Sequence, residues 1–151
     1  MRLRIYIDTS VIGGCLDEGF EHASRILIER IIKGHSIAVV SELTTLEMKR
    51  APEEVQSILL KIPSKFIERV ALTEEAFTLA KRYISEGVVG KSSLVDAQHI
   101  AIATVNRVDV VVSWNFRHIV NLNKIHGFNA VNLKMGYPLM EIRSPWEVVA
   151  A

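Results

Sequence analysis

Short apolar runs alternate along the chain with longer segments in which apolar residues recur every three or four positions. The short runs predict buried strands over residues 3–7, 37–40, 66–72 and 110–112. The longer segments predict helices over residues 22–33, 42–50, 74–84 and 94–105, and Pro52 is placed to begin a further one. Repeated strand-then-helix order with wholly apolar strands is typical of a parallel sheet covered on both faces by helices.

Glycine and proline positions predict where the regular elements stop. Gly13 and Gly14 predict a turn after the first strand, and Pro138 and Pro145 predict an irregular C-terminal segment. A helix over residues 117–124 is expected ahead of the segment 128–133. No internal repeat or linker divides the sequence. We therefore expect one domain over residues 1–151, a Rossmann-like three-layer α/β/α sandwich.

Composition and charge narrow the class of protein. Apolar residues make up 49% of the chain and the formal net charge is +1, which excludes a disordered chain and a polybasic nucleic-acid coat. Cys15 is the only cysteine and cannot form an internal disulfide, as expected in a reducing cytoplasm. The sequence shows no secretory leader and no apolar run of membrane-spanning length. We therefore expect a cytoplasmic protein without a membrane segment.

Acidic and amide side chains stand where predicted strands end. Asp8 follows the first strand, Asn115 follows the strand over 110–112, and Glu47 and Asp96 lie in the early turns of two helices. The carboxyl ends of parallel strands share one edge of a sheet, so these side chains are expected to meet there, whereas Asp109 opens its strand at the opposite edge. Three crowded carboxylates repel one another unless a cation binds. Oxygen ligands with few histidines favour Mg²⁺ or Mn²⁺, so we expect Asp8, Glu47 and Asp96 within metal-bridging reach.

Taken singly, each of these residues also has a plain structural explanation. Asp8 suits a turn, Glu47 suits a solvated helix position, and Asp96 suits the positive end of a helix dipole. Asn115 is a common turn or cap residue. Their joint placement at one sheet edge is what favours a site.

Four segments of the chain resemble the acidic-site segments of PIN-domain proteins, in the same order. They read YIDTSVI, VVSELTTLEM, LVDAQHIAIA and VVVSWNF, and the resemblance runs from Arg4 to about Leu133. Many PIN-domain proteins are VapC-type toxin ribonucleases of toxin–antitoxin operons. The resemblance implies a PIN-like fold, an RNA substrate and a cognate antitoxin. It also implies a Mg²⁺- or Mn²⁺-dependent endoribonuclease in which Asp8, Glu47 and Asp96 bind the metal.

The sequence departs from the family at Asn115, where many members carry a fourth aspartate. Asparagine still offers an oxygen, so Asn115 stays a candidate catalytic residue, but one negative charge is lost. This departure argues against a symmetric two-metal mechanism. It also leaves open an alternative, in which the chain is a PIN-like RNA- or protein-binding domain with weakened catalysis.

Several neighbouring residues are candidates for supporting roles. Thr9 and Ser10 suit orientation of Asp8 or a phosphate, and equally suit a plain turn; Ser113 matches the hydroxyl residue of the family's last segment. Glu42 is a second acidic candidate, but it lies about 140° around the helix from Glu47, which the family spacing favours. Other residues have both a structural and a functional interpretation: His99 near Asp96, Trp114 and Phe116 around the last strand, and the candidate phosphate contacts Lys49, Arg50, Lys91 and Arg117.

The chain is also expected to form a homodimer. Its helical segments 26–32 and 55–60 are rich in isoleucine and leucine and are placed to supply a shared apolar face. A well-filled core within one chain explains the same residues.

Overall fold

A five-stranded parallel sheet forms the centre of the protein in a computed structural model, which describes residues 2–150. The strands are β1 (Leu3–Ile7), β2 (Ser36–Ser41), β3 (Ile67–Val70), β4 (Val110–Val112) and β5 (Ile142–Arg143). Their order across the sheet is β3-β2-β1-β4-β5, and every neighbouring pair is parallel. The chain runs outward from β1 to β3 and then returns to β4 on the other side of β1. The carboxyl ends of β1 and β4 therefore flank the point where strand order reverses, the usual ligand site of such sheets.

Helices cover both faces of this sheet. They are α1 (Thr9–Gly14), α2 (Glu21–Ile32), α3 (Glu42–Met48), α4 (Glu53–Leu60), α5 (Glu74–Ser85), α6 (Leu94–Val105), α7 (Leu122–Lys134) and α8 (Pro145–Ala150). Alternation along β1 divides the core, because Tyr6 packs with α5, α6 and α7 whereas Ile5 and Ile7 pack with α1, α2 and α4. The predicted three-layer α/β/α architecture is confirmed.

Local chemistry sets the ends of the regular elements as the sequence predicts. The Thr73 hydroxyl accepts a hydrogen bond from the Ala76 amide at 3.2 Å and so caps α5, and Gly87 ends that helix with a φ of +79°. Helix α6 is buried continuously from Ala97 to Thr104, because it lies between the sheet and α5. No helix in the described part of the chain is long and apolar enough to cross a membrane.

Gly13 and Gly14 do not form the predicted turn, because both lie in the short helix α1. A Cβ on Gly14 would stand 2.5 Å from the Ser24 hydroxyl and 2.6 Å from the indole nitrogen of Trp114, whereas a Cβ on Gly13 would meet nothing within 4 Å. Gly14 is therefore a close-packing residue, at which α1 approaches α2 and the segment after β4.

The C-terminal third also differs from the prediction. Helix α7 begins only at Leu122, after the Asn121 side chain caps it by accepting from the Lys124 amide at 2.9 Å, and it then includes the whole segment 128–133. The tail is irregular around Pro138, over residues 137–141, as predicted, but not at Pro145. Ile142 pairs with Val111 and is fully buried, and Pro145 begins α8, which packs on α2.

Candidate active site

Asp8 is fixed at the carboxyl end of the central strand by three neighbouring groups. One carboxylate oxygen accepts from the Ser10 hydroxyl at 2.6 Å and from the Val11 amide at 3.4 Å, which caps α1. The other oxygen accepts from the Ser113 hydroxyl at 2.6 Å, just after β4. Asp8 is only 7% exposed. It is thus both a helix cap and a carboxylate held rigidly between β1 and β4.

Asp96 meets Asn115 on the other side of this strand pair. The Asn115 amide nitrogen lies 3.2 Å from an Asp96 oxygen, and the Asn115 carbonyl oxygen accepts from the His118 amide at 2.9 Å. Burial raises the pKa of Asp96, nearby histidines lower it, and the charges of Asp8 and Glu47 raise it further. Asp96 therefore lies in the electric field of both other carboxylates.

Glu47 ends a chain of hydrogen bonds that runs through the core. Its carboxylate lies 3.0 Å from His99 Nε2, His99 Nδ1 lies 2.6 Å from the Tyr6 hydroxyl, and that hydroxyl donates to Ser41 at 2.8 Å. The hydrogen bond from His99 lowers the pKa of Glu47, and burial opposes this effect. The Glu47 side chain is 43% exposed. Glu47 is thus ionised, oriented and open to solvent.

Tyr6 and His99 are parts of the site that sequence reasoning missed or left undecided. Tyr6 reads as an ordinary apolar position of β1, although it stands two residues before Asp8. His99 follows Asp96 by three positions, which places both on adjacent parts of one helix face. The structure shows His99 to be a buried, hydrogen-bonded histidine that also contacts the site.

The two remaining acidic candidates lie away from these groups. The Glu42 carboxylate accepts from the Leu72 amide at 2.5 Å, beyond the end of β3, so Glu47 and not Glu42 contacts His99. Asp109 accepts from the Arg4 amide at 2.7 Å, near the start of β1 and at the opposite sheet edge, as predicted.

The hydroxyl and basic candidates fall into two groups. Ser10 and Ser113 hold Asp8, whereas the Thr9 hydroxyl oxygen is buried with no hydrogen-bond partner among the described residues.

Lys49 and Arg50 line a groove of about 490 Å³ together with Glu47 and three apolar residues. Lys91 and Arg117 are exposed, and no side-chain hydrogen bond or ion pair within residues 2–150 ties them to the carboxylates. Phosphate contact by any of these residues stays a prediction.

The three carboxylates do not assemble into a metal-binding cluster. Within residues 2–150, no group of three or more His, Cys, Asp or Glu side chains is placed to hold a metal ion. Each carboxylate is bonded to its own donor, and metal binding by Asp8, Glu47 and Asp96 together stays a prediction. The donor set itself fits a hard cation, since it offers the carboxylate oxygens that Mg²⁺ and Mn²⁺ prefer.

Comparison with known proteins identifies the fold. The sequence matches no family model and no curated protein. Among solved structures, FitAcB from Neisseria gonorrhoeae is similar with a TM-score of 0.60 and 15% identity over 94% of this chain and 98% of that chain. VapBC2 from Rickettsia felis, solved with a promoter DNA fragment, has a TM-score of 0.56 and 13% identity over 94% and 98%. Mycobacterium tuberculosis VapC20, a sarcin-ricin loop cleaving toxin, has a TM-score of 0.56 and 14% identity over 90% and 98%.

These likenesses extend over nearly the whole length of both chains in each pair. The protein therefore has the PIN-like α/β fold that the sequence resemblance implied. At these low identities the likeness concerns the fold alone.

Proposed function

We propose that this protein is a Mg²⁺- or Mn²⁺-dependent endoribonuclease and the toxin of a toxin–antitoxin pair. The observation that carries the proposal is that Ser113 and Asn115, two positions apart after β4, bond Asp8 and Asp96 and so place both carboxylates at the strand-order reversal. A fold shared with VapC20, a toxin that cleaves the sarcin-ricin loop, supports the same reaction class.

In this proposal Asp8, Asp96 and Glu47 would hold the ion. A bound ion would polarise the attacking water and offset charge on the scissile phosphate. Ser10 and Ser113 keep Asp8 in place.

Other residues orient the reacting groups and the substrate. The Asn115 amide orients the Asp96 carboxylate, and His99 keeps Glu47 ionised and aimed at the solvent-exposed side, where it can orient a water. RNA phosphates contact the basic residues at the rim, so binding weakens as salt rises. These basic residues are Lys49, Arg50, Lys91 and Arg117.

The cellular setting is part of the proposal. We infer one domain, a cytoplasmic location, a homodimer and an antitoxin that covers the site. Expression of the chain alone is expected to arrest bacterial growth, and co-expression of a small protein encoded beside it is expected to restore growth. Growth arrest that persists in Asp8→Asn would contradict a toxin role for the nuclease site.

A PIN-like binding domain with weakened catalysis is the second candidate. Two observations favour it: Asn115 occupies the fourth acidic position as a hydrogen-bond donor to Asp96, and the described carboxylates form no metal cluster. Such a protein would bind RNA or a protein partner without cleaving RNA.

Cleavage and ion binding together test the proposal. We expect the purified chain to cleave single-stranded RNA in Mn²⁺ and to stop in EDTA. Asp8→Asn is expected to lower the cleavage rate by more than about a hundredfold. Removing a side chain that only orients a metal ligand costs about 10- to 100-fold, and removing a ligand itself is expected to cost more. Asp109→Asn is the matched control, since it makes the same change at the opposite sheet edge. Absence of both cleavage and calorimetric Mn²⁺ binding in the wild type would favour the binding domain instead.

A further inference from the structure

Four aromatic side chains pack together beside Asp8. Phe20 and Trp114 form the inner pair, with ring centroids 4.3 Å apart and planes 25° apart. The Trp114 indole nitrogen donates to the Ser24 hydroxyl at 2.7 Å, and Trp114 is only 7% exposed. This inner pair belongs to the core and is fully explained by packing.

The outer pair, Phe116 and Trp146, is different because its rings remain in solvent. Phe116 is 41% exposed and Trp146 is 48% exposed, yet the two rings stack with centroids 5.9 Å apart and an angle of 22°. The Trp114 ring supports both edge-on, at 4.7 Å from Trp146 and 6.1 Å from Phe116. We call Phe116 and Trp146 the aromatic platform. It is a fixed aromatic surface whose outer faces nothing in the described structure covers.

The aromatic platform is continuous with the carboxylate site. The Trp114 amide donates to the Ser10 hydroxyl at 3.0 Å, and that hydroxyl donates to Asp8 at 2.6 Å. Phe116 directly follows Asn115, which bonds Asp96. Arg117 comes next in the chain and is exposed, so this segment also carries a positive charge that solvent can reach.

We propose that the aromatic platform stacks on a nucleobase of single-stranded RNA, next to the phosphate that the carboxylates address. Exposed aromatic rings bind single strands by stacking on bases, with little sequence preference, and a neighbouring cation attracts the backbone phosphate. The charge of Arg117 and the continuity with Asp8 favour RNA over an apolar protein segment as the occupant. The position next to the cleaved phosphate rests on the proposed function, whereas base stacking itself does not.

Binding in EDTA separates stacking from cleavage. The probes are a ten-nucleotide oligoadenylate and an abasic ribose-phosphate chain of the same length, both in single-stranded form. We expect oligoadenylate to quench the tryptophan fluorescence of the wild type and the abasic chain to leave it unchanged. Trp146→Leu is expected to lose the quenching while the buried Trp114 continues to report the folded state.

Affinity measured by fluorescence anisotropy of labelled oligoadenylate completes the test. We expect Trp146→Leu and Phe116→Ala each to weaken binding between about 5-fold and about 100-fold. Phe116→Tyr keeps an aromatic ring and is expected to bind with the wild-type affinity. Leu60→Ala is the control, because Leu60 is 82% exposed and lies on α4, outside the aromatic cluster.

Three results would overturn the proposal. They are equal quenching by the abasic chain, wild-type affinity in both platform variants, and a change of molar mass in those variants, which would assign the rings to a contact between copies. Stacking without Mn²⁺-dependent cleavage would support the platform and reject the nuclease. Mn²⁺-dependent cleavage without stacking would support the nuclease and reject the aromatic platform.

Discussion

The Asn115 side chain bonds in two directions, to Asp96 through its amide nitrogen and to the His118 amide through its oxygen. Asn115→Asp would place a second carboxylate 3.2 Å from Asp96 in place of a donor. We expect the metal-free variant to be less stable by about 1 kcal/mol, which is roughly 2–4 °C in Tm, because like charges repel. Calorimetry is expected to show tighter Mn²⁺ binding, since the site gains a negative charge.

Asn123→Asp is the control for this change, because Asn123 is exposed in the first turn of α7. It adds the same charge, and we expect Tm and Mn²⁺ affinity to stay near the wild-type values. If metal-free Asn115→Asp is as stable as the wild type, the contact between residue 115 and Asp96 does not affect stability.

The raised pKa of Asp96 predicts how acid affects stability in EDTA. Because burial raises this pKa above its ordinary value of 3.8, the folded state holds the proton more tightly than the unfolded state does. The resulting stability is fully present below pH 3.8 and is lost as the pH rises through the folded-state pKa. Asp96→Asn is therefore expected to raise Tm at pH 7 and to lose this advantage toward pH 3.8. A gain that is the same at every pH would contradict the explanation.

The contribution of Glu47 to stability has the opposite pH dependence. Its hydrogen bond from His99 lowers its pKa below 4.5, so its contribution is present above pH 4.5 and is lost as the pH falls through the folded-state value. Because Asp96 and Glu47 interact, the effect of Asp96→Asn is measured in a Glu47→Gln background, where position 47 does not titrate in either protein.

At the scale of elements, the packing of α1 depends on the difference between two adjacent glycines. Gly14→Ala is expected to destabilise the protein by about 1–3 kcal/mol, because the added Cβ meets Ser24 and the Trp114 indole below 3 Å. Gly13→Ala meets nothing within 4 Å and is expected to stabilise α1 by up to about 1 kcal/mol. Urea unfolding of both variants measures the difference, and equal effects would contradict close packing at Gly14.

The strands were predictable because most are short, apolar and buried, and their carboxyl ends carry the polar residues. The same reasoning misplaced α7, since its start depends on the Asn121 cap and not on apolar spacing. It also missed β5, whose two residues gain their burial only by pairing with β4. A long-range contact of this kind leaves no local pattern in the sequence.

The sequence predicted which strand ends carry the candidate site residues, but not how these residues bond. Strand ends fix the positions of Asp8 and Asn115, whereas the hydrogen bond between Tyr6 and His99 joins residues 93 positions apart. The separate partners of each carboxylate arise from packing between elements. No pattern within one segment encodes such bonds.

At the scale of the whole molecule, fewer apolar residues are exposed for the expected homodimer contact than the sequence suggested. Five of the apolar residues in the two named segments are buried in the chain's own core: Leu27, Ile28, Ile31, Val55 and Leu59. The partly buried Ile32 and Ile58 and the exposed Leu16 line a groove of about 360 Å³ between α2 and α4.

We therefore place the expected dimer contact at this groove. Multi-angle light scattering is expected to give the dimer mass for the wild type and a shift toward the monomer for Leu16→Lys, because a buried unpaired charge opposes association. Leu139→Lys, at a residue 62% exposed outside the groove, is expected to stay dimeric. A wild-type monomer at high micromolar concentration would reject the dimer.

Cys15, directly after Gly14, provides a chemical label for measuring local opening of the protein. Its thiol is 3% exposed, and burial raises the pKa to about 11, so the reactive thiolate is scarce at neutral pH. Because it is the chain's only cysteine, alkylation can occur at one place alone. Because Cys15 also lines the groove of the expected dimer contact, the rate of thiol labelling in the monomer reports the opening of this end of α1, and its urea dependence distinguishes a local fluctuation from global unfolding.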